Sequence, residues 1–235
     1  MNILIIGSGG REHAITWKVS QSEKVKNIYA IPGNPGIKME DKVQVFEIQD
    51  PSIQDYINFA KEHNVDLTIV GPEAPLVDGI VDEFEKKLSG YFNVDKLITV
   101  NSATSGLHLI VHMLKNYGLT DDRVRIENDD DHILTTPLTC TASNWPILLN
   151  NVNLGWVDVD SKTCNMSLDD LQKKLTKNTK AVLIVHWGGY PIDLDKLKDI
   201  QNDFEKKHGF KFVIIEDSAH AFGAKYKEKL IGSHG

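Results

Sequence analysis

Residues 2–20, NILIIGSGGREHAITWKVS, read as a buried strand, a glycine turn and a helix in immediate succession. Asn2 to Ile6 is a short continuous apolar run, as a strand covered on both faces requires, and Arg11 to Ser20 follows at helical spacing. Gly7-Ser8-Gly9-Gly10-Arg11-Glu12 joins the two. Glycines at such a joint let backbone N–H groups approach an anion at the positive end of the helix dipole. That context favours anion binding, although glycines needed only for a tight strand-helix turn remain the alternative for so short a motif. It is not the dinucleotide fingerprint: Glu12 stands at the third glycine position, and the second strand ends in Pro32-Gly33-Asn34 rather than in an acidic residue.

Working outward, Ile28 to Ile31 and Val43 to Ile48 read as further strands. Asp50-Pro51 reads as a helix start, with Ile53, Tyr56, Ile57 and Ala60 as the apolar stripe and Asn64 as the stop. Asp66 to Val70 is a strand ended by Gly71-Pro72. This alternation implies parallel strands with right-handed crossovers. Val77, Ile80, Val81, Phe84 and Leu88 then keep helical spacing to Gly90, so whatever joins here is joined inside a helix, not across a linker. Beyond it the pattern predicts strands at Leu97–Val100, Ile133–Thr136, Trp156–Val159, Ala181–Val185 and Lys211–Ile215. Helices are predicted at Gly106–Tyr117, Thr141–Leu149, Leu168–Leu175 and Leu194–His208.

The 235 residues are 41% hydrophobic, enough for one large α/β domain or two modest ones. Lys+Arg 26 against Asp+Glu 33 gives a net charge of -7, which argues against nucleic acid or an anionic membrane as partner and leaves small anionic ligands. Cys140 and Cys164 follow no metal-ligand pattern, and no signal peptide or membrane-length apolar run is seen, so a cytoplasmic protein in a reducing compartment is expected. His108 and His112 share a helix face without an acidic residue between them or an evident third ligand, and read as core or solvated histidines. The run Asp129-Asp130-Asp131-His132 reads as a solvated loop, and Trp145, Trp156 and Trp187 as packing around the sheet.

Two resemblances divide the chain. GSGGREHA at 7–14, PGNPG at 32–36 and DLTIVGPEAPLVDGIVDEF at 66–84 closely resemble the N-terminal domain of phosphoribosylamine-glycine ligase. That resemblance implies a small Rossmann-like, pre-ATP-grasp parallel sheet over residues 1–83, with Gly9, Gly10 and Arg11 holding a phosphoribosyl substrate and Glu73 beside it. ATP and Mg would enter only if a partner supplied an ATP-grasp module.

Residues 84–235 resemble the DegT/DnrJ/EryC1/StrS aminotransferases, through FEKKLSGYFNV at 84–94, VNSATSGLHL at 100–109, TTPLTCTASNWPIL at 135–148, VDVD at 157–160, VHWGGYPIDL at 185–194 and IIEDSAHAFGAKY at 214–226. The implied fold is an incomplete fold-type I large domain that binds pyridoxal phosphate, in a family that usually aminates keto-sugars. Read from the residues, the strand-to-helix turn holding Ala103 and Thr104 can receive the cofactor phosphate, and Asp217 at a strand end can pair with the protonated pyridine nitrogen. By resemblance, His220 meets the ring's phenolic oxygen, and Cys140 occupies a position where many members carry an aromatic that stacks on the ring. The resemblance places the Schiff-base lysine a further strand and loop beyond EDSAHA, so Lys225, Lys227 and Lys229 do not fill that role. The expectation is a mosaic or truncated metabolic protein that binds pyridoxal phosphate non-covalently at best. The alternatives are a ligase-related protein of purine biosynthesis, or a binding module for a phosphoribosyl or nucleotide-sugar molecule, as a homodimer or completed by a partner chain.

Overall fold

The computed structural model describes residues 1–71, 79–120 and 124–233. The chain separates into two compact units, Met1–Leu88 and Ser89–Gly235, and the division falls inside one helix.

In the first unit β1 (Asn2–Gly7), β2 (Asn27–Pro32), β3 (Val43–Val45) and β4 (Leu67–Val70) form a parallel sheet in the order β3-β2-β1-β4. Its helices are α1 (Gly10–Ser20), α2 (Pro35–Lys38) and α3 (Ile53–Glu62), followed by α4 (Ile80–Phe92), in which the division lies. The continuous apolar run of β1 has a direct cause. Leu4 and Ile6 pack with Tyr29 and Ile31 against Tyr56 and Phe59 of α3, while Ile3 and Ile5 pack with Ile28 against Ile15 and Val19 of α1.

The start of α3 differs from the sequence reading. Asp50 sits at φ +46, outside α3, and Ser52 is the N-cap, its side chain accepting the Asp55 N–H while Asp55 takes the Ser52 N–H at 2.9 Å. This reciprocal capping box satisfies two orphan amides where an Asp-Pro start satisfies one, and so fixes the boundary. Asn64, at φ +48, lies just past the helix as the stop residue should.

In the second unit β5 (His132–Thr135), β6 (Asn153–Trp156), β7 (Thr179–Val185) and β8 (Val213–Asp217) form a parallel sheet in the order β6-β5-β7-β8. A short antiparallel pair, β9 (Lys225–Tyr226) and β10 (Lys229–Leu230), follows. The helices are α5 (Ala103–Asn116), α6 (Thr141–Leu149), α7 (Leu168–Lys174) and α8 (Leu194–His208). Strand β7 joins two cores. Val182 and Ile184 meet Leu197, Ile200 and Phe204 of α8, and Ala181, Leu183 and Val185 meet Leu107, Val111 and Leu114 of α5 and Ile147 of α6. Both units are thus α/β with helices covering both faces of a parallel sheet.

Four sequence expectations fail here for physical reasons. Leu97–Val100 forms no strand: Ile98 and Val100 are 67% and 45% exposed, so the run packs no apolar face against a sheet. Trp156 ends β6 rather than opening a strand, because its partner β5 stops at Thr135. Trp145 and Trp156 are about half exposed instead of packed, and only Trp187 is partly covered. Asp131 is buried, its Oδ2 accepting the N–H groups of Glu127 and Asn128 at 2.9 and 3.0 Å with Lys180 3.6 Å away, so it ties the acidic loop down. His108 and His112 are solvated. Among the described residues no helix is long and apolar enough to cross a membrane, and no group of three or more His, Cys, Asp or Glu could hold a metal ion.

Candidate functional site

In an open parallel sheet, ligands bind outside the carboxyl ends of the strands, where the chain order reverses. The second sheet reverses between β5 and β7, and the segments leaving β5, β7 and β8 converge there. A cleft of about 230 Å³ at that point is lined by Ala103, Thr104 and Leu107 of α5, Thr139, Cys140, Ala142 and Ser143 around the start of α6, Val185, Asp217, Ala219 and His220. Ala103, Thr104, Cys140, Asp217 and His220, singled out from separate stretches of sequence, therefore share one cavity.

Each is placed by a local rule. Ser102 caps α5, its hydroxyl accepting the Ser105 N–H at 3.2 Å. The first helical amides, those of Ala103 and Thr104, have no acceptor within the helix and stand at its positive end on the cleft. Asp217 is the last residue of β8 and is only 8% exposed. Its Oδ2 accepts from the Ser143 hydroxyl at 2.6 Å and its Oδ1 from the Ala219 N–H at 3.1 Å. Cys140 is the N-cap of α6 without a side-chain capping bond, and its thiol is free and exposed. His220 is exposed on the turn after β8, within edge-on range of Trp187, with ring centroids 6.1 Å apart.

Sequence reasoning missed several supports of this cleft. Ser143 is one, a buried hydroxyl that only the fold brings to Asp217 across 74 positions of sequence. Gly189 is another: at φ +82, a Cβ there would lie 2.7 Å from the His220 carbonyl oxygen, so glycine lets the turn after β7 approach the His220 turn. His186 anchors the first of those turns, its Nδ1 accepting the Ile192 N–H at 3.2 Å and its Nε2 meeting Glu216 at 3.0 Å. A larger depression of about 400 Å³, lined by Asp160, Asp169, Asp193 and Lys196 among others, has its charges already engaged. Lys196 pairs with Asp169 at 2.6 Å, and Asp193 accepts from the Tyr226 hydroxyl at 2.8 Å.

The first sheet reverses between β1 and β4, which puts the Gly7–Glu12 turn and Gly71 at its crevice. Here the side chains are committed to each other. Glu12, 4% exposed, accepts the Gly9 N–H at 2.7 Å and the Arg11 Nε–H at 3.0 Å, and Arg11 also donates to the Gly71 carbonyl. Gly9 and Gly10 line the turn, Arg11 braces it, and Glu73 lies outside the described residues.

The hydrogen bond from Arg11 holds the Glu12 carboxyl below the usual glutamate range, aided by the Gly9 N–H and opposed by burial. A depressed carboxyl stabilises the fold above its unfolded pKa, and that contribution is lost as pH falls through the folded value. The backbone of residues 7–12 is therefore expected to lose hydrogen-exchange protection on acidification below the usual glutamate range. Glu12→Gln should flatten this acid response, and an unchanged profile in the variant would remove Glu12 as its cause.

Residues 1–96 match the phosphoribosylglycinamide synthetase N domain, and residues 76–235 match the DegT/DnrJ/EryC1/StrS aminotransferase family. Over 87 residues the chain is 53% identical to the phosphoribosylamine-glycine ligase of Clostridium acetobutylicum, a stretch covering 37% of this chain and 20% of that ligase. The crystal structure of AtS13 from Actinomadura melliaura superposes with a TM-score of 0.61 at 42% identity, over 67% of this chain and 39% of that one. The sugar aminotransferase CalS13 from Micromonospora echinospora gives a TM-score of 0.59 at 37% identity, over 66% and 39%. The chain thus spans a fifth of the ligase and well under half of either matched structure. The aminotransferase match takes in well over half of this chain and contains the whole Asp217 cleft, so the chain belongs to the DegT/DnrJ/EryC1/StrS aminotransferase family and carries a phosphoribosylglycinamide synthetase-type N domain at its start.

Proposed function

We propose that the second unit binds pyridoxal phosphate in the Asp217 cleft and serves amino-group transfer to a keto-sugar. The observation that carries this reading is the convergence of Ala103 and Thr104 in the first turn of α5, a buried carboxylate and His220 on one cavity at the sheet's reversal point. Enzymes of the family depend on pyridoxal phosphate. The residues fit such a group. About 230 Å³ is below the ~300–1,000 Å³ of drug-sized ligand pockets and suits one substituted ring with a small anion.

When bound, pyridoxal phosphate supplies an electron sink that is deepest with its ring nitrogen protonated. The Ala103 and Thr104 amides would hold the phosphate at the α5 N-terminus. Asp217 would accept the ring N–H, and His220 would meet the ring hydroxyl. Cys140 offers a small thiol where a broad aromatic would cover one ring face. Among the described residues no lysine lines the cleft, and Lys227 is engaged by Asp195. A nucleotide-linked keto-sugar is the proposed substrate class.

For the first unit we propose a binding role toward a phosphoribosyl-type ligand. Its match to the synthetase N domain supports this, and the Gly9 amide and Arg11 side chain already hold the turn in shape at the sheet's crevice.

The test uses pyridoxamine 5′-phosphate, whose amine cannot condense with surface lysines. Titrated into the full chain by calorimetry, it should bind saturably at one site, and pyridoxamine without its phosphate should bind more weakly. Absence of saturable binding, or equal binding of both forms, would remove this reading of the cleft.

A further inference from the structure

We propose that Ser143, oriented by Thr139, is the positioning residue that aims the Asp217 carboxylate at the ring nitrogen of the bound pyridoxal phosphate. The inference rests on the proposed function of the cleft and assigns a role that the cofactor contacts themselves leave open. A carboxylate at a strand end can rotate about its Cβ–Cγ bond, and a ring N–H needs an acceptor held in one plane.

Two donors fix that plane here. The Ser143 hydroxyl reaches Oδ2 at 2.6 Å, a short distance typical of a hydroxyl bonded to a charged oxygen, and the Ala219 N–H reaches Oδ1 at 3.1 Å. A carboxylate accepts at about four lone-pair sites, so each oxygen keeps one for the ring. Ser143 has a single proton, and its own oxygen lies 2.8 Å from the Thr139 hydroxyl. With the Ser143 proton given to Asp217, the Thr139–Ser143 contact must run from Thr139 as donor. The result is a directed chain, Thr139 to Ser143 to Asp217.

The placement supports a functional role over a packing one. Ser143 is 3% exposed yet lines the cleft, and it stands one helical turn from Cys140 at the start of α6. An alanine would fill nearly the same space. What it would lose is the direction of the carboxylate.

The experiment compares the full chain with Ser143→Ala and Ser143→Thr, each titrated with pyridoxamine 5′-phosphate labelled with ¹⁵N in the ring. Melting temperature serves as the folding control. The ¹⁵N chemical shift reports how far the ring nitrogen holds its proton, which a merely structural serine would not alter. Ser143→Ala is expected to weaken binding about tenfold, the equivalent of ~1.4 kcal/mol, and to move the ¹⁵N signal toward the unprotonated position. Ser143→Thr, which keeps the hydroxyl, should restore both. If Ser143→Ala binds with an unchanged affinity and ¹⁵N shift, the positioning role is overturned while the cleft reading stands. If the unsubstituted chain takes no pyridoxamine 5′-phosphate, the cleft reading falls and this proposal falls with it.

Discussion

Asp217→Ala is expected to weaken binding of pyridoxamine 5′-phosphate to the full chain roughly 10- to 100-fold, the largest loss from any single side chain of the cleft. A hydrogen bond to a charged partner contributes about 1.5–3 kcal/mol, and each ~1.4 kcal/mol is a factor of ten in affinity. The other anchors are amides at a helix end and an exposed histidine, which water also solvates, whereas Asp217 is 8% exposed and faces less competition. The loss should be specific. Alanine frees Ser143 and Ala219, but Ser143 keeps Thr139 as a partner, so the folded state is little affected. Asp217→Asn preserves shape and the acceptor for Ser143 but removes the charge opposite the ring nitrogen, and should fall between the parent and the alanine variant. Calorimetric titration checks the series. Equal affinity in all three would detach Asp217 from the ligand and leave the cleft without its central contact.

How much of this was legible beforehand depends on whether a residue's partner is local or distant. The turn after β1 and the two helices Thr141–Leu149 and Leu194–His208 follow from short-range patterns, and the structure forms all of them, whereas α5 begins at Ala103 and not at Gly106 because the Ser102 hydroxyl caps it one turn earlier. Ala103, Thr104, Cys140, Asp217 and His220 could be singled out because each sits in a stretch with a distinctive local composition. That they share one cavity depends on the strand order β6-β5-β7-β8, which no local pattern encodes. Ser143 was invisible for the same reason, since a serine inside a helix gains its meaning only from Asp217 on a distant strand. The run Leu97–Val100 shows the converse: strand-like residues form no strand where apolar side chains such as Ile98 and Val100 stay exposed instead of packing on a sheet face. Trp145 and Trp156 are half exposed, since an apolar residue's place in a helix or strand does not say whether its face is covered.

Gly71→Ala is expected to destabilise the first unit by roughly 2–3 kcal/mol, although an alanine at a loop position ordinarily changes little. Gly71 does not occupy the left-handed region, so its backbone accepts an L residue, and the conflict is one of space alone. A Cβ there would overlap the Glu12 carboxyl and Cγ atoms. Glu12 is pinned from both sides, by the Gly9 N–H at 2.7 Å and the Arg11 Nε at 3.0 Å, so it yields only by giving up charge-assisted hydrogen bonds from a buried position. Glu12→Ala loses the same bonds directly. Because both substitutions remove the same interactions, the double variant should be no less stable than Glu12→Ala alone, with a coupling of about 1.5–3 kcal/mol. Hydrogen exchange read on peptides of β1 and β4 isolates the first unit from the second. Additive losses in the double variant would mean that Gly71 and Glu12 act independently, and that the glycine after β4 serves something other than clearance for the carboxylate bracing the turn.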